Sequence, residues 1–134
     1  MDFELKQDQQ IFYDSVKRFA VNELGDGAVD RANSDGYLWD IAARFAEMGL
    51  LGITIPESKG GIGGSLTDAV LAIQAIAEVC PRSADVVQAG NFGAIRTFAA
   101  EYANADQLAR FLLIFWLAKR LCRLACPNLT LARQ

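Results

Sequence analysis

The sequence predicts an all-α fold, a helical bundle of about five helices, and three observations predict it. Apolar residues recur at steps of three and four along most of the 134 residues. Residues that start and stop helices punctuate those stretches at helix-length intervals. Strand signals are lacking, and the run Leu51, Gly52, Ile53, Thr54, Ile55 is the one β candidate.

In chain order, the first helix is predicted over 3–24. Ile11, Phe12, Val16, Phe19 and Ala20 share one stripe, while Gln9, Lys17 and Glu23 are left for water. Gly25 and Gly27 end it, and a polar loop leads to Ser34 or Asp35 as the cap of a second helix. There Leu38, Ile41, Ala42, Phe45 and Met48 repeat, and Gly49 is the stop. Residues 49–65 read as a rigid, nearly buried turn. An apolar run meets Pro56, and glycines at 60, 61, 63 and 64 follow a path that side chains would obstruct. Ser65 with Asp68 forms a short capping box for a third helix to Val79, with Val70, Ile73, Ile76 and Ala77 buried. Pro81 prevents its continuation.

A fourth helix is predicted from Ser83 or Asp85 to about Tyr102. Val86, Val87, Ala89, Phe92, Ala94, Ile95, Phe98 and Ala99 make it apolar on most sides, so it belongs at the centre of the domain. Gly90 and Gly93 each cost such a helix about 1 kcal/mol relative to Ala, which close approach of another group would explain. Asn104 and Gln107 form a further capping box, opening a helix that includes Phe111 and Leu112.

Composition bounds the function. With 52% apolar and 22% charged residues the chain is globular. No run of 18 apolar residues exists, and the opening Met1, Asp2, Phe3, Glu4 is not a secretory pattern, so a cytoplasmic location is expected. Cys80, Cys122 and Cys126 are expected as free thiols. A net charge of −3 gives no expectation of a nucleic-acid partner. The chain has no histidine, which excludes His-based metal sites, Ser-His triads and Cys-His pairs. Charge is uneven along the chain. Residues 1–112 hold nine Lys and Arg against sixteen Asp and Glu, a net −7, whereas 113–134 hold Lys119, Arg120, Arg123, Arg133 and no acid, a net +4.

Residue by residue, the chemistry is sparse. Backbone amides of the glycine loop near a helix start attract anions, but the loop lacks the GK[ST] ending of a P-loop, and a structural turn is the better reading. Asp35 with Asp40 and Glu47 with Glu57 are better explained as solvated helix faces. Cys122 and Cys126 lie one helical turn apart, yet two thiols without further ligands make a poor zinc site. Gln88, Gly90 and Asn91 interrupt the most apolar helix. Polar groups there must find partners, and a bound ligand is one option.

The motif G-L-L-G-I-T-I-P-E-S-K-G-G-I-G-G-S resembles the acyl-CoA dehydrogenase family signature, in which a helix ends in G-L and leads through I-P-E-x-x-G-G to a new helix. D-Q-Q-I-F-Y-D-S-V-K-R-F-A is similar to the family's first helix, and D-A-V-L-A-I-Q-A-I-A-E-V-C to its D-x-x-x-x-x-x-x-x-A-E helix. A-G-N-F-G-A-I and A-N-A-D-Q-L-A-R-F-L resemble the fourth helix and the G-x-x-x-Q-K-x-x-F-L segment. Order and spacing fit across residues 1–112, with Ala103 where the family usually has glycine and Leu108 where it has lysine. The resemblance implies an N-terminal helical domain of an FAD-dependent enzyme that dehydrogenates acyl-CoA thioesters, in fatty-acid or branched-chain acyl catabolism, with electron-transfer flavoprotein as partner. On this chain it implies an acyl wall around Gln88, Asn91 and Phe92. It assigns no catalytic residue, because the family's base lies beyond the matching residues.

After Leu112 the resemblance stops, where the family continues L-P-x-L-L-A-G-E and then M-S-E-P-x-A-G-S, a loop that contacts flavin. Read one nucleotide earlier, codons allowed for residues 125–134 spell methionine-serine-glutamate-proline-aspartate-alanine-glycine-serine-alanine. Those for 113–117 allow proline-aspartate-leucine-leucine-alanine after Leu112. Residues 113–134 are therefore expected to be out of frame, which also accounts for the charge reversal. The expected fragment is inactive alone, binds no FAD and self-associates through apolar area that other domains would cover. The rival expectation is a non-enzymatic helical interaction module whose basic amphipathic tail binds a partner or, less readily, a membrane.

Overall fold

The computed structural model describes residues 4–92 and 94–108. The expectations for Gly93, Phe111, Leu112, Cys122, Cys126 and the basic segment 113–134 lie outside the described residues. Among the described residues seven α-helices follow in order: α1 (Gln7–Leu24), α2 (Ala28–Ala32), α3 (Trp39–Glu47), α4 (Leu66–Ala77), α5 (Pro81–Asn91), α6 (Ala94–Thr97) and α7 (Ala105–Gln107). Tight 3-10 turns at Leu50–Gly52 and Glu57–Lys59 join α3 to α4, and Phe98–Tyr102 is a π-helical turn. No strand occurs among the described residues, as the all-α expectation requires.

α4 lies between α1 and α5, and α5 closes onto the Leu50–Gly52 turn and α3. The small side chains of Ala69, Ala72 and Ala75 allow this approach; all three are fully buried. Around them Val16, Ala20, Leu24, Phe45, Leu51, Ile53, Ile76 and Val87 form the main core. Two stripes differ from expectation. Ile11 is 59% exposed, because α1 turns Val16, Ala20 and Leu24 inward instead. Val70 is 50% exposed: α4 is apolar nearly all round, and its alanine edge with Leu71 and Ile76 is the side its neighbours cover. Met48, at the end of α3, is exposed as well, while Leu38, Ile41, Ala42 and Phe45 are buried as expected.

The loop after α1 is not wholly irregular. It contains α2, held by Arg31, whose guanidinium donates to the carbonyls of Leu24 and Asp26. Ser34 does not cap α3; its hydroxyl donates to Arg31 O at 2.8 Å, and α3 starts after Leu38 with no side-chain cap. Both predicted capping boxes are present. Ser65 Oγ accepts from the Asp68 amide at 3.2 Å, and Asn104 Oδ1 accepts from the Gln107 amide at 2.9 Å. Pro81 does more than stop a helix, since it occupies the first turn of α5, where its missing N–H costs nothing.

The β candidate at 51–55 is corrected. The chain curls there, with Gly52 N donating to Gly49 O and Ile55 N to Gly52 O. Everything from Leu50 to Ile55 is buried. The long fourth helix is also corrected. α5 ends at Asn91, and Phe92 is extended (φ −132°, ψ 161°) before α6 resumes. The break follows from tertiary anchoring. A Cβ on Gly90 would sit 2.6 Å from Leu51 O, and Asn91 Nδ2 donates to Leu50 O at 2.6 Å, so the end of α5 is pinned to the turn.

Candidate functional site

The glycine-rich turn and the end of α5 form one unit. Across the turn, Ile62 N donates to Gly52 O at 3.0 Å, Gly63 N to Ile55 O at 2.8 Å and Gly64 N to Ile53 O at 2.7 Å. Gly60 N and Gly61 N donate to Glu57 O and Pro56 O. A Cβ on Gly61 would lie 2.1 Å from Ile55 O, so only glycine lets the two passes of the chain touch. The amides from 60 to 64 are thus consumed within the loop. They form no cradle for a phosphate, and the structural reading of the turn stands.

Asn91 is fully buried, and its side chain is committed to the turn. Its Nδ2 donates to Leu50 O and to Val87 O at 2.9 Å, and its Oδ1 accepts from Thr54 N at 3.1 Å. Thr54 Oγ1 completes the clasp by donating to Asn91 O at 2.8 Å. Of the three residues expected at a pocket, the structure places Gln88 at an exposed position and Phe92 half-buried against the main core, with Asn91 beneath them. Thr54 was the missed member. Its signal was a lone hydroxyl in a run whose other members are apolar or glycine, where a buried polar group needs a partner.

A second feature is a groove of 230 Å³ between α1 and the start of α4, lined by Asp8, Gln9, Phe12, Ile53, Ile62, Gly64 and Asp68. Burial pushes the Asp68 carboxyl up, but hydrogen bonds from the Ser65 amide and hydroxyl and from Gln9 outweigh it and hold the group below its ordinary value. Two carboxylates make this groove unsuited to a phosphate.

Among the described residues, the other ionisable groups do not converge on a reactive centre. Asp35, Asp40, Glu47 and Glu57 are all exposed, and none lines the groove. Cys80 is a free, buried thiol. Burial raises its pKa, yet Arg31 Nε at 3.4 Å and Ser83 Oγ at 3.1 Å more than offset this and leave it below the usual thiol value. Among the described residues no group of three or more Cys, Asp or Glu is placed to hold a metal ion. No helix among them is long and apolar enough to cross a membrane.

Comparison with known proteins adds the missing context. A family profile described as "Acyl-CoA dehydrogenase, N-terminal domain" matches residues 6–114. A 3-sulfinopropanoyl-CoA desulfinase of Paraburkholderia xenovorans is 32% identical over 113 residues, which are 84% of this chain and 29% of that protein. A short-chain specific acyl-CoA dehydrogenase of Clostridium acetobutylicum is 22% identical over the same shares of each chain, 84% and 29%. A probable acyl-CoA dehydrogenase of Bacillus subtilis, YngJ, is 32% identical over 60% of this chain and 21% of its own. The chain thus spans less than a third of the length of these relatives.

Proposed function

Since the chain belongs to the acyl-CoA dehydrogenase family, whose N-terminal domain it contains over residues 6–114, we propose that it forms one wall of an acyl-CoA site. The observation behind this reading is the pinned end of α5. Gly90, Asn91 and Thr54 hold it immobile against the turn, while Gln88 stays exposed and Phe92 half-buried. A rigid edge with one apolar ring and one amide suits the tail of an acyl thioester better than a charged metabolite. Asn91 acts through the backbone it fixes, and Gln88 and Phe92 are the residues assigned to meet the substrate.

The relatives named above act, by name, on different CoA thioesters and by different reactions. The shared ingredient is the thioester, so acyl-CoA is the substrate class proposed, without a chain length. For the whole protein the reaction proposed is α,β-dehydrogenation with FAD as hydride acceptor and electron-transfer flavoprotein as the onward partner. Residues 4–108 do not fit a flavin pyrophosphate, since the glycine-loop amides are consumed internally and the groove is acidic. No catalytic residue is assigned among them, and residues 1–112 alone are proposed to be inactive. Residues 113–134 are proposed to be an out-of-frame continuation, on the charge reversal and the codon register set out above.

Sequencing the encoding DNA and restoring the frame after Leu112 tests the whole reading. The restored protein should purify with bound flavin and reduce a dye on addition of an acyl-CoA. Codons that cannot spell the alternate reading would remove the frameshift. A restored, flavin-loaded protein indifferent to every acyl-CoA would remove the acyl wall.

A second reading has its own observation. Ile11 on α1 and Leu66 and Val70 on the neighbouring α4 are each half or more exposed. Self-association of the present chain through this apolar area is the expected result in sedimentation. A monomer at high concentration would argue against it.

A further inference from the structure

In residues 94–108, Ala99 is buried in a second, smaller apolar cluster rather than in the main core. Among the described contacts that join this segment to the body are that cluster of Ile55, Ala99 and Leu108 and a hydrogen bond from Lys59. The Lys59 ammonium donates to the main-chain carbonyl of Ala100 at 2.7 Å. The partners lie 41 positions apart in the sequence.

Both ends of this bond have a physical cause. Lys59 closes the Glu57–Lys59 turn, with its own amide donating to Pro56 O and the Gly60 amide donating to Glu57 O, so the base of the side chain is fixed. On the other side the arm is π-helical, with Ala103 N bonded five residues back to Phe98 O. Ala100 O would ordinarily accept from the amide of residue 104. That amide is taken by Gln107 Oε1 at 3.0 Å, in the capping box that starts α7. The carbonyl is left for a donor from outside the helix, at an end where the backbone dipole favours a cation. A π turn and a tightly started next helix thus create the vacancy that Lys59 fills.

We propose that Lys59 is a positioning residue, a latch that sets how the 94–108 arm lies on the glycine turn. Its consequence for a ligand rests on the acyl-wall reading above. The latch itself is measured without any ligand, so the two can fail separately.

The test is hydrogen exchange by mass spectrometry or NMR on the whole chain, comparing wild type with Lys59→Met and Lys59→Arg. In Lys59→Met the amides of 98–103 should exchange about tenfold faster, the loss of one charge-assisted bond, while α1, α4 and α5 keep their protection. Lys59→Arg retains the cation and should stay within about threefold of wild type. Unchanged exchange in Lys59→Met overturns the proposal, as does Lys59→Arg behaving like the methionine variant. If Lys59→Met fails to fold, Lys59→Gln removes the charge while keeping a polar end, and the same local acceleration is expected of it. Acceleration spread evenly over α1, α4 and α5 would mean a general stabilising role and would also overturn the latch.

Discussion

The glycine turn at 49–64 and the arm at 94–108, which carries α6, the π-helical turn and α7, are both short segments built of tight turns, yet they are held in different ways. In the turn, Leu50, Leu51, Ile53 and Ile55 are at most 3% exposed, and backbone bonds tie one pass of the chain to the other. In the arm, the attachments include a small apolar cluster and a lysine bond; Tyr102 is 76% exposed, and Arg96 Nε is buried without a hydrogen-bond partner among the described residues. The difference is one of redundancy. Removing one bond from the turn leaves many others in a dry setting, whereas the Lys59 bond in the arm ties segments far apart in the sequence.

Changes that attack the turn by sterics should have the largest effect. Gly61→Val puts a branched side chain where even a Cβ would lie 2.1 Å from Ile55 O, and the backbone must separate. We expect a loss of about 3 kcal/mol or more in chemical denaturation; a variant as stable as wild type would show that the two passes are not locked. Asn91→Leu should follow at about 3 kcal/mol, because the Thr54 amide and the Leu50 carbonyl lose their buried partners. A loss near zero there would place the rigidity of α5 elsewhere.

Acid should act on the helix that leaves the turn. The folded Asp68 carboxyl lies below its ordinary 3.8, so the folded chain binds that proton less readily than the unfolded one. Its stabilisation is complete above the ordinary carboxylate range and is lost as pH falls through the folded value. Wild type should therefore exceed Asp68→Asn in denaturation midpoint at about pH 6, and the gap should narrow progressively as pH falls below the ordinary carboxylate value. A gap that persists in acid would assign the effect to shape rather than charge. The smallest effect is expected in the arm: Tyr102→Ser should change global stability by less than about 0.5 kcal/mol. A larger loss would mean that the arm is bound more tightly than its contacts indicate.

Legibility in the sequence divides along the same line. Ser65 with Asp68 and Asn104 with Gln107 were readable because a cap is a local bargain between residues three apart. Ile41, Ala42 and Phe45 were readable because α3 has one clear apolar face. Val70 misled, since a helix that is apolar nearly all round does not say which side its neighbours cover, and Ile11 misled because α1 turns Val16, Ala20 and Leu24 inward and leaves Ile11 outside. The break at Phe92 was hidden for a related reason: nothing local forbids helix from 81 to 102, and only the docking of Gly90 and Asn91 on Leu50 and Leu51 ends it. At the site, the residue types at 88, 91 and 92 stood out, but the division between one buried clasp and two accessible positions did not.

The sequence by itself determined an all-helical chain, its caps, the tight glycine path and, through motif order, its family. These rest on interactions between residues a few positions apart, whose geometry the backbone repeat dictates. Only the tertiary structure decided which faces are covered, where the fourth helix breaks, that Asn91 and Thr54 form one clasp, and that Lys59 reaches Ala100. Those contacts join residues 37 to 41 positions apart. Their formation depends on how helices pack in three dimensions, which no local repeat encodes.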